Sequence, residues 1–242
     1  MSMLKTKAKA MLAMAAILCG CGQQRGGGDS YFPLTVGSSW TYAVSSEIDG
    51  RSQRDMHVIS VISEHMEGGK PVAIRRSETA GNIGVEYALR SAPGAIERIA
   101  QRSDLEEQAT PDEPPRTVLP LPLKAGASWR SSTTAYFILR KSEYPRELKY
   151  SQKVLMTYTV EAVEETVTVP AGTFAHCARI AGLAHLTLYT DPVAGFRKVP
   201  LVTSEWYCRG IGLVKLERTE DVSTAFFSGG SMRMELSEYT LR

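Results

Sequence analysis

The sequence is poor in the residues and spacings that mark most known chemistries. Its 242 residues hold four cysteines and four histidines. No CxxC, HxH or HExxH spacing occurs, so the usual marks of a zinc, copper or redox site are missing. His176 and Cys177 are neighbours and point to opposite faces of a strand. Neither His57 with His65 nor His176 with His185 is spaced as a ligand pair. No apolar run reaches the roughly 20 residues that cross a bilayer as a helix. Gly37 and Gly126 each precede a Ser-Trp pair but lack the second glycine of GxSxG, and they lead into strands instead of a strand-to-helix elbow. Glu106 with Glu107 and Glu164 with Glu165 are adjacent, hence splayed and solvated, not paired for acid–base work. The glycines at 26–28 open no helix and so form no phosphate cradle. No catalytic residue, metal or cofactor is expected. Excess charge is missing too: 28 basic residues face 26 acidic ones, net +2. Three of those basic residues are Lys5, Lys7 and Lys9. Without them the balance is 25 to 26, about −1, which leaves no footprint for nucleic acid.

Those three lysines precede an uncharged apolar run over 10–18, the length of a secretory h-region. Next comes LCGC over 18–21, which resembles the lipobox of bacterial lipoproteins. The resemblance implies that residues 1–20 are a signal peptide and that Cys21 becomes the lipidated first residue. Cys19 is the poorer alternative, because bulky Leu18 precedes it. A plain signal peptide without lipid is the competing reading. Residues 21–30 carry no apolar side chain after Cys21 and read as a flexible tether. Gly22, not Asp, follows the cysteine; by the same resemblance this favours the outer membrane over the inner. The protein's partner is then the membrane, through its anchor.

Beyond the tether, short runs rich in Val, Thr, Ile and Tyr alternate with Gly and Pro, which predicts an all-β domain over 31–242. PLTVGSSW at 33–40 is echoed by PLKAGASW at 122–129. Three further landmarks recur in the same order. The run 156–163 resembles 56–62. VPAGTF at 169–174 leads into 177–180 as the turn at 68–70 leads into 73–75. EWYCRGIGLVK at 205–215 matches the hairpin at 86–98. Four matches in order predict two similar halves, about 31–100 and 120–242, of about five strands each, joined in one curved antiparallel sheet or open barrel. Residues 101–119, with Thr110 followed by PDEPPR, have too many prolines for a strand or helix interior and are expected to form a surface crossover. Met232, Met234 and Leu236 fall on one face of a last hairpin, Arg233 and Glu235 on the other.

Two cysteines remain after processing, Cys177 and Cys208. In an oxidising envelope they can pair with each other; the alternative is two buried thiols.

Three motifs together, YFPLxxGxxWxY over 31–42, VPAGTF with Cys177, and GIGLVK over 210–215, resemble a broad, largely uncharacterised group of bacterial envelope lipoproteins. That group has no agreed catalytic residues, so the resemblance implies location and fold without chemistry. Two roles follow. A concave sheet can hold a hydrophobic ligand, lined by Trp40, Tyr42, Tyr87, Trp129, Tyr158 and Trp206. Alternatively the chain is an interaction or scaffold lipoprotein of an envelope complex. For the aromatic residues the plainer reading is that they fill the core.

Overall fold

The computed structural model describes residues 29–79, 81, 83–141, 148–149, 153–193 and 195–242, with the side chains of 148, 149 and 191 outside that description. The leader, the lipobox and Cys21 therefore lie outside the described residues.

Strands follow one another along the whole domain. They are β1 (Ser39–Ile48), β2 (Arg51–Glu67), β3 (Lys70–Thr79), β4 (Val85–Ala92), β5 (Ala95–Ser103), β6 (Thr110–Pro120), β7 (Ser128–Thr134), β8 (Leu139–Arg140), β9 (Leu148–Lys149), β10 (Lys153–Val169), β11 (Gly172–Asp191), β12 (Gly195–Cys208), β13 (Gly212–Ser223) and β14 (Phe227–Thr240). They form one antiparallel sheet in the order β6-β5-β4-β3-β2-β1-β14-β13-β12-β11-β10-β7, with β8 added to β14 and β9 to β8. The sheet curls into a nearly closed barrel.

The curl follows from side-chain alternation. Along β11, Ala184, Leu186, Leu188 and Thr190 are buried, while Leu183, His185, Thr187 and Tyr189 are exposed. Period-two burial of this kind puts one face of every strand inside. The inner faces meet in one core, to which Trp40, Tyr42, Leu89, Ile96, Leu119, Met156, Ile180 and Leu236 all contribute. Met234 and Leu236 face inward as expected, and Arg233 faces out.

The two PLxxGxSW turns are built alike. Gly37, at φ 87°, and Gly126, at φ 83°, occupy the left-handed region where a Cβ is penalised. Gly37 N–H donates to Val61 O (2.9 Å), and Val61 N–H donates back to Ser38 O (2.9 Å). Gly126 N–H donates to Val160 O (2.8 Å), and Val160 N–H to Ala127 O (2.9 Å). Each turn clips the strand that pairs with its own tryptophan strand, β2 in one case and β10 in the other.

In two places the structure departs from the expectation. The second half holds eight strands among the described residues, β7–β14, not about five. The first half holds the expected five, β1–β5, but a sixth strand, β6, runs through the stretch expected to be a surface crossover. Its prolines are tolerated because β6 pairs only with β5, so N–H groups on its other side have no ladder to join. The pairing also shifts: Arg98 faces Arg116 while Ala100 faces Pro111, so residues 112–115 bulge out.

Cys177 and Cys208 lie opposite each other in β11 and β12 and are joined by a disulfide. Beside them His176 (φ 56°) and Glu164 (φ 65°), two non-glycine residues in the left-handed region, bond to each other, and Arg209 reaches Glu164 at 3.2 Å.

Candidate functional site

The barrel closes on one side by a backbone ladder between β14 and β1. On the other side β6 and β7 are linked by side chains. Arg116 Nε donates to Ser131 Oγ (2.8 Å), and the Ser131 hydroxyl donates to Thr117 O (3.0 Å). Beyond that link the two edges part, and a cleft of about 800 Å³ opens between the bulge of β6 and the wall formed by β7 and β10. Tyr87, Arg98, Arg116, Arg130, Tyr136 and Lys153 are among the residues that line it. A second opening, about 290 Å³, lies between the β1–β2 turn and the β13–β14 hairpin, and its carboxylates Glu47, Asp49 and Asp221 do not converge.

Each wall of the cleft is held from behind. On the β6 side Arg98 grips Asp112 through both carboxylate oxygens, at 2.5 and 2.8 Å, and lies 5.3 Å over the Tyr87 ring. That bidentate pair fixes the bulge. On the β7 side the anchor is Glu220, on β13 and fully buried. Its carboxylate accepts the amide N–H groups of Tyr136 (2.8 Å), Phe137 (2.8 Å) and Ile138 (3.3 Å) and Arg218 Nε (2.7 Å). Arg218 also donates to Thr134 O (2.7 Å) and lies 3.8 Å over the Tyr136 ring. A buried pair is tolerable only when the remaining donors and acceptors are satisfied, and here they are. The result is a β7 terminus that cannot drift from β13.

The interior next to the cleft is also polar. Tyr207 donates to Glu205 Oε2 (2.8 Å). Burial pushes the Glu205 carboxyl above its ordinary range, and the charges of Arg218 and Arg116 pull against that shift. Burial, then the nearness of Glu205, pushes the Tyr158 phenol up. Arg75 is buried with no carboxylate beside it among the described residues; it lies 4.6 Å from the Phe32 ring centre and 4.9 Å from that of Trp40.

The six aromatic candidates end up in different places. Trp40 and Tyr42 are sealed in the core, donating to Ile211 O (2.7 Å) and Leu213 O (2.9 Å). Both are packed into the core and present no open surface to a ligand. Trp129 stacks on Tyr158 with ring centres 5.3 Å apart. Its indole N–H is buried without a partner among the described residues. Trp206 belongs to the other face of β12, donating to Glu165 (3.1 Å) beneath Lys215. Tyr87 alone of the six lines the cleft. Sequence reasoning missed Arg98, Arg116, Arg130 and Lys153, which reach one opening from β5, β6, β7 and β10. The proline-rich bulge of β6 was the one available signal.

No family model matches the chain, and no curated protein matches it. Two solved structures are similar. One, from Bacteroides fragilis, is described as an exported protein with a YmcC-like fold: 13% identity over 86% of this chain and 98% of that one, TM-score 0.42. The other, from Parabacteroides distasonis, is described as a lipoprotein: 14% identity over 88% of this chain and 99% of that one, TM-score 0.45. These are distant likenesses and say nothing of activity.

Proposed function

We propose that the protein is a lipid-anchored lipoprotein of a bacterial envelope, held at the outer membrane through Cys21, that binds a ligand at the β6–β7 seam without transforming it. The location rests on the leader, the LCGC stretch and the tether. The binding role rests on one observation: among the described residues β6 and β7 end the strand order with no backbone ladder between them, and a cleft of about 800 Å³ braced on both walls opens there. A braced cleft is preorganised, which lowers the ordering cost of binding. Because Trp40 and Tyr42 are buried in the core, we put the ligand at the seam and not on the concave face. The lining offers arginines, tyrosines and Lys153, side chains that can hold a ligand through charge and ring contacts.

Two experiments test this. Cys21→Ala should release the protein from the membrane fraction and abolish fatty-acid labelling; persistence of both would refute the anchor. Native mass spectrometry of the purified protein should reveal a bound small molecule that disappears when Ser132→Cys, on the cleft wall, carries a bulky maleimide. A ligand that stays bound to the blocked protein places the site elsewhere.

The scaffold reading has its own support. The outer face of the β11–β12 hairpin pairs Leu183 with Val202 and Tyr189 with Phe196. All four are exposed, Phe196 at 72%. Crosslinking through this hairpin to an envelope protein would favour that reading.

A further inference from the structure

Six charged side chains line the seam cleft. Arg98, Arg116, Arg130 and Lys153 are basic; Asp112 and Glu113 are acidic. Asp112 has both oxygens on Arg98. Arg116, Arg130 and Lys153 make no ion pair among the described residues, although all three border one opening. Like charges on one concave surface repel each other and focus a positive field into it. An anion in the opening is attracted by all three.

Arg116 is the best placed of the three. Its Nε is fixed on Ser131 Oγ, and Ser131 is itself tied to Thr117 O. The guanidinium is therefore positioned by the fold, with its two terminal nitrogens unbonded among the described residues. A planar fork held this way suits the paired oxygens of a carboxylate or phosphate.

The same cleft exposes apolar surface. Leu155 is 56% exposed and Tyr136 41% exposed, and both line it. Apolar side chains this exposed, beside unpaired cations, mark a place for a ligand with two kinds of surface.

We infer that the seam cleft binds an amphiphilic anion, with a carboxylate or phosphate among Arg116, Arg130 and Lys153 and an apolar part against Leu155 and Tyr136. The inference rests on the seam reading above and names its ligand class.

The test is calorimetric titration of the full chain carrying Cys21→Ala, at low ionic strength, with four probes: dodecanoate, dodecyl phosphate, dodecanol and inorganic phosphate. Either dodecanoate or dodecyl phosphate should bind at least about tenfold tighter than dodecanol, as expected when a charge-assisted hydrogen bond is added. Whichever of the two binds better identifies the headgroup as carboxylate or phosphate. Raising the salt should weaken that binding. Arg130→Gln with Lys153→Gln should weaken it about tenfold or more; neither residue takes part in the Arg116–Ser131 link, so the barrel stays intact. Dodecanol binding as tightly as the anions, or the double variant binding as tightly as the parent, would overturn the anion. Inorganic phosphate binding as tightly as dodecyl phosphate would overturn the apolar half. If none of the four binds, the amphiphilic anion falls. The seam itself is judged separately, by whether the co-purifying ligand survives the maleimide at Ser132→Cys.

Discussion

At the β14–β1 junction the backbone ladder runs from Ser39 opposite Thr240 to Ile48 opposite Gly230, with one shift at Thr41 and Tyr42. At the β6–β7 junction the tie is the Arg116–Ser131–Thr117 relay of side-chain hydrogen bonds. The two junctions follow matching turns, yet one is sealed and the other gapes. The difference lies in the arriving strand. β14 presents a regular inward face with Met234 and Leu236, whereas β6 brings Pro111, Pro114 and Pro115, which have no N–H to offer a neighbour. A fold that could have closed twice closes once, and the unclosed junction is where Arg98, Arg116, Arg130 and Lys153 gather. The contrast extends to single atoms. Trp40 Nε1 has the Ile211 carbonyl at 2.7 Å; Trp129 Nε1, eight residues into the matching motif, has no partner among the described residues.

The strongest way to break the open junction is from behind. Glu220→Gln removes the charge that balances Arg218 and weakens the hold on the amides of Tyr136, Phe137 and Ile138. Leaving one member of a buried pair alone typically costs about 3–5 kcal/mol. Denaturant unfolding should show the midpoint falling by that equivalent, at unchanged slope. A loss under about 1 kcal/mol would mean that the pair does not brace the wall.

A sharper comparison comes from the two tryptophans. Trp40→Phe strips a hydrogen bond and leaves the Ile211 carbonyl unpaired in the core. Trp129→Phe removes an N–H with nothing to lose and keeps the stack on Tyr158. Both shrink a ring, and the cavity left at the fully buried Trp40 adds to the cost there. Trp40→Phe should therefore be the more destabilising by about 1–3 kcal/mol. Equal losses, measured by the same unfolding titration, would erase the asymmetry.

Much of the architecture was legible in local residue patterns, because period-two alternation and glycine turns are local signals. The sheet class, the hairpin turns at 49–50, 68–69 and 93–94, and the inward face of β14 could all be read that way. Edge status is not local. Nothing within TPDEPPR says that one of its sides faces open space, so its prolines read as a crossover when they belong to an edge strand. The candidate site was illegible for a related reason. Arg116, Arg130 and Lys153 sit on three strands, and only the curling of the sheet brings β6 opposite β7 and β10. Arg218 and Glu220 were half legible: two apart on a strand, they share the face of Leu216 and Val222, a pattern that already puts a charged pair inside. Arg98 and Asp112 depend on the shifted register of β5 and β6, which alternation alone does not supply.

Acid should separate the surroundings of β1 and β7 by a smaller margin. In the β1–β2 ladder Tyr42 faces His57; at the matching place in the second turn Ser131 faces Met156, which does not titrate. His57 bonds Ser77 at 2.7 Å. Burial first, and then the charge of Arg75, hold its pKa below the ordinary 6.5, with Asp55 opposing. The unfolded chain therefore binds this proton more readily than the folded one. The contribution of His57 to stability is complete above about pH 6.5 and declines as the pH falls from there toward the folded pKa. Glu205 titrates with the opposite sign, because burial raises its carboxyl above the ordinary 4.5, so stability is lost there as the pH rises. Wild type alone would blend the two. The informative quantity is the difference between wild type and His57→Gln, which keeps a polar partner for Ser77 and cannot be protonated. Between pH 7 and pH 5 the unfolding midpoint of wild type should drop relative to that of the variant. If the two curves stay parallel, His57 of β2 is not held neutral beside β1, and acid treats the surroundings of β1 and β7 alike.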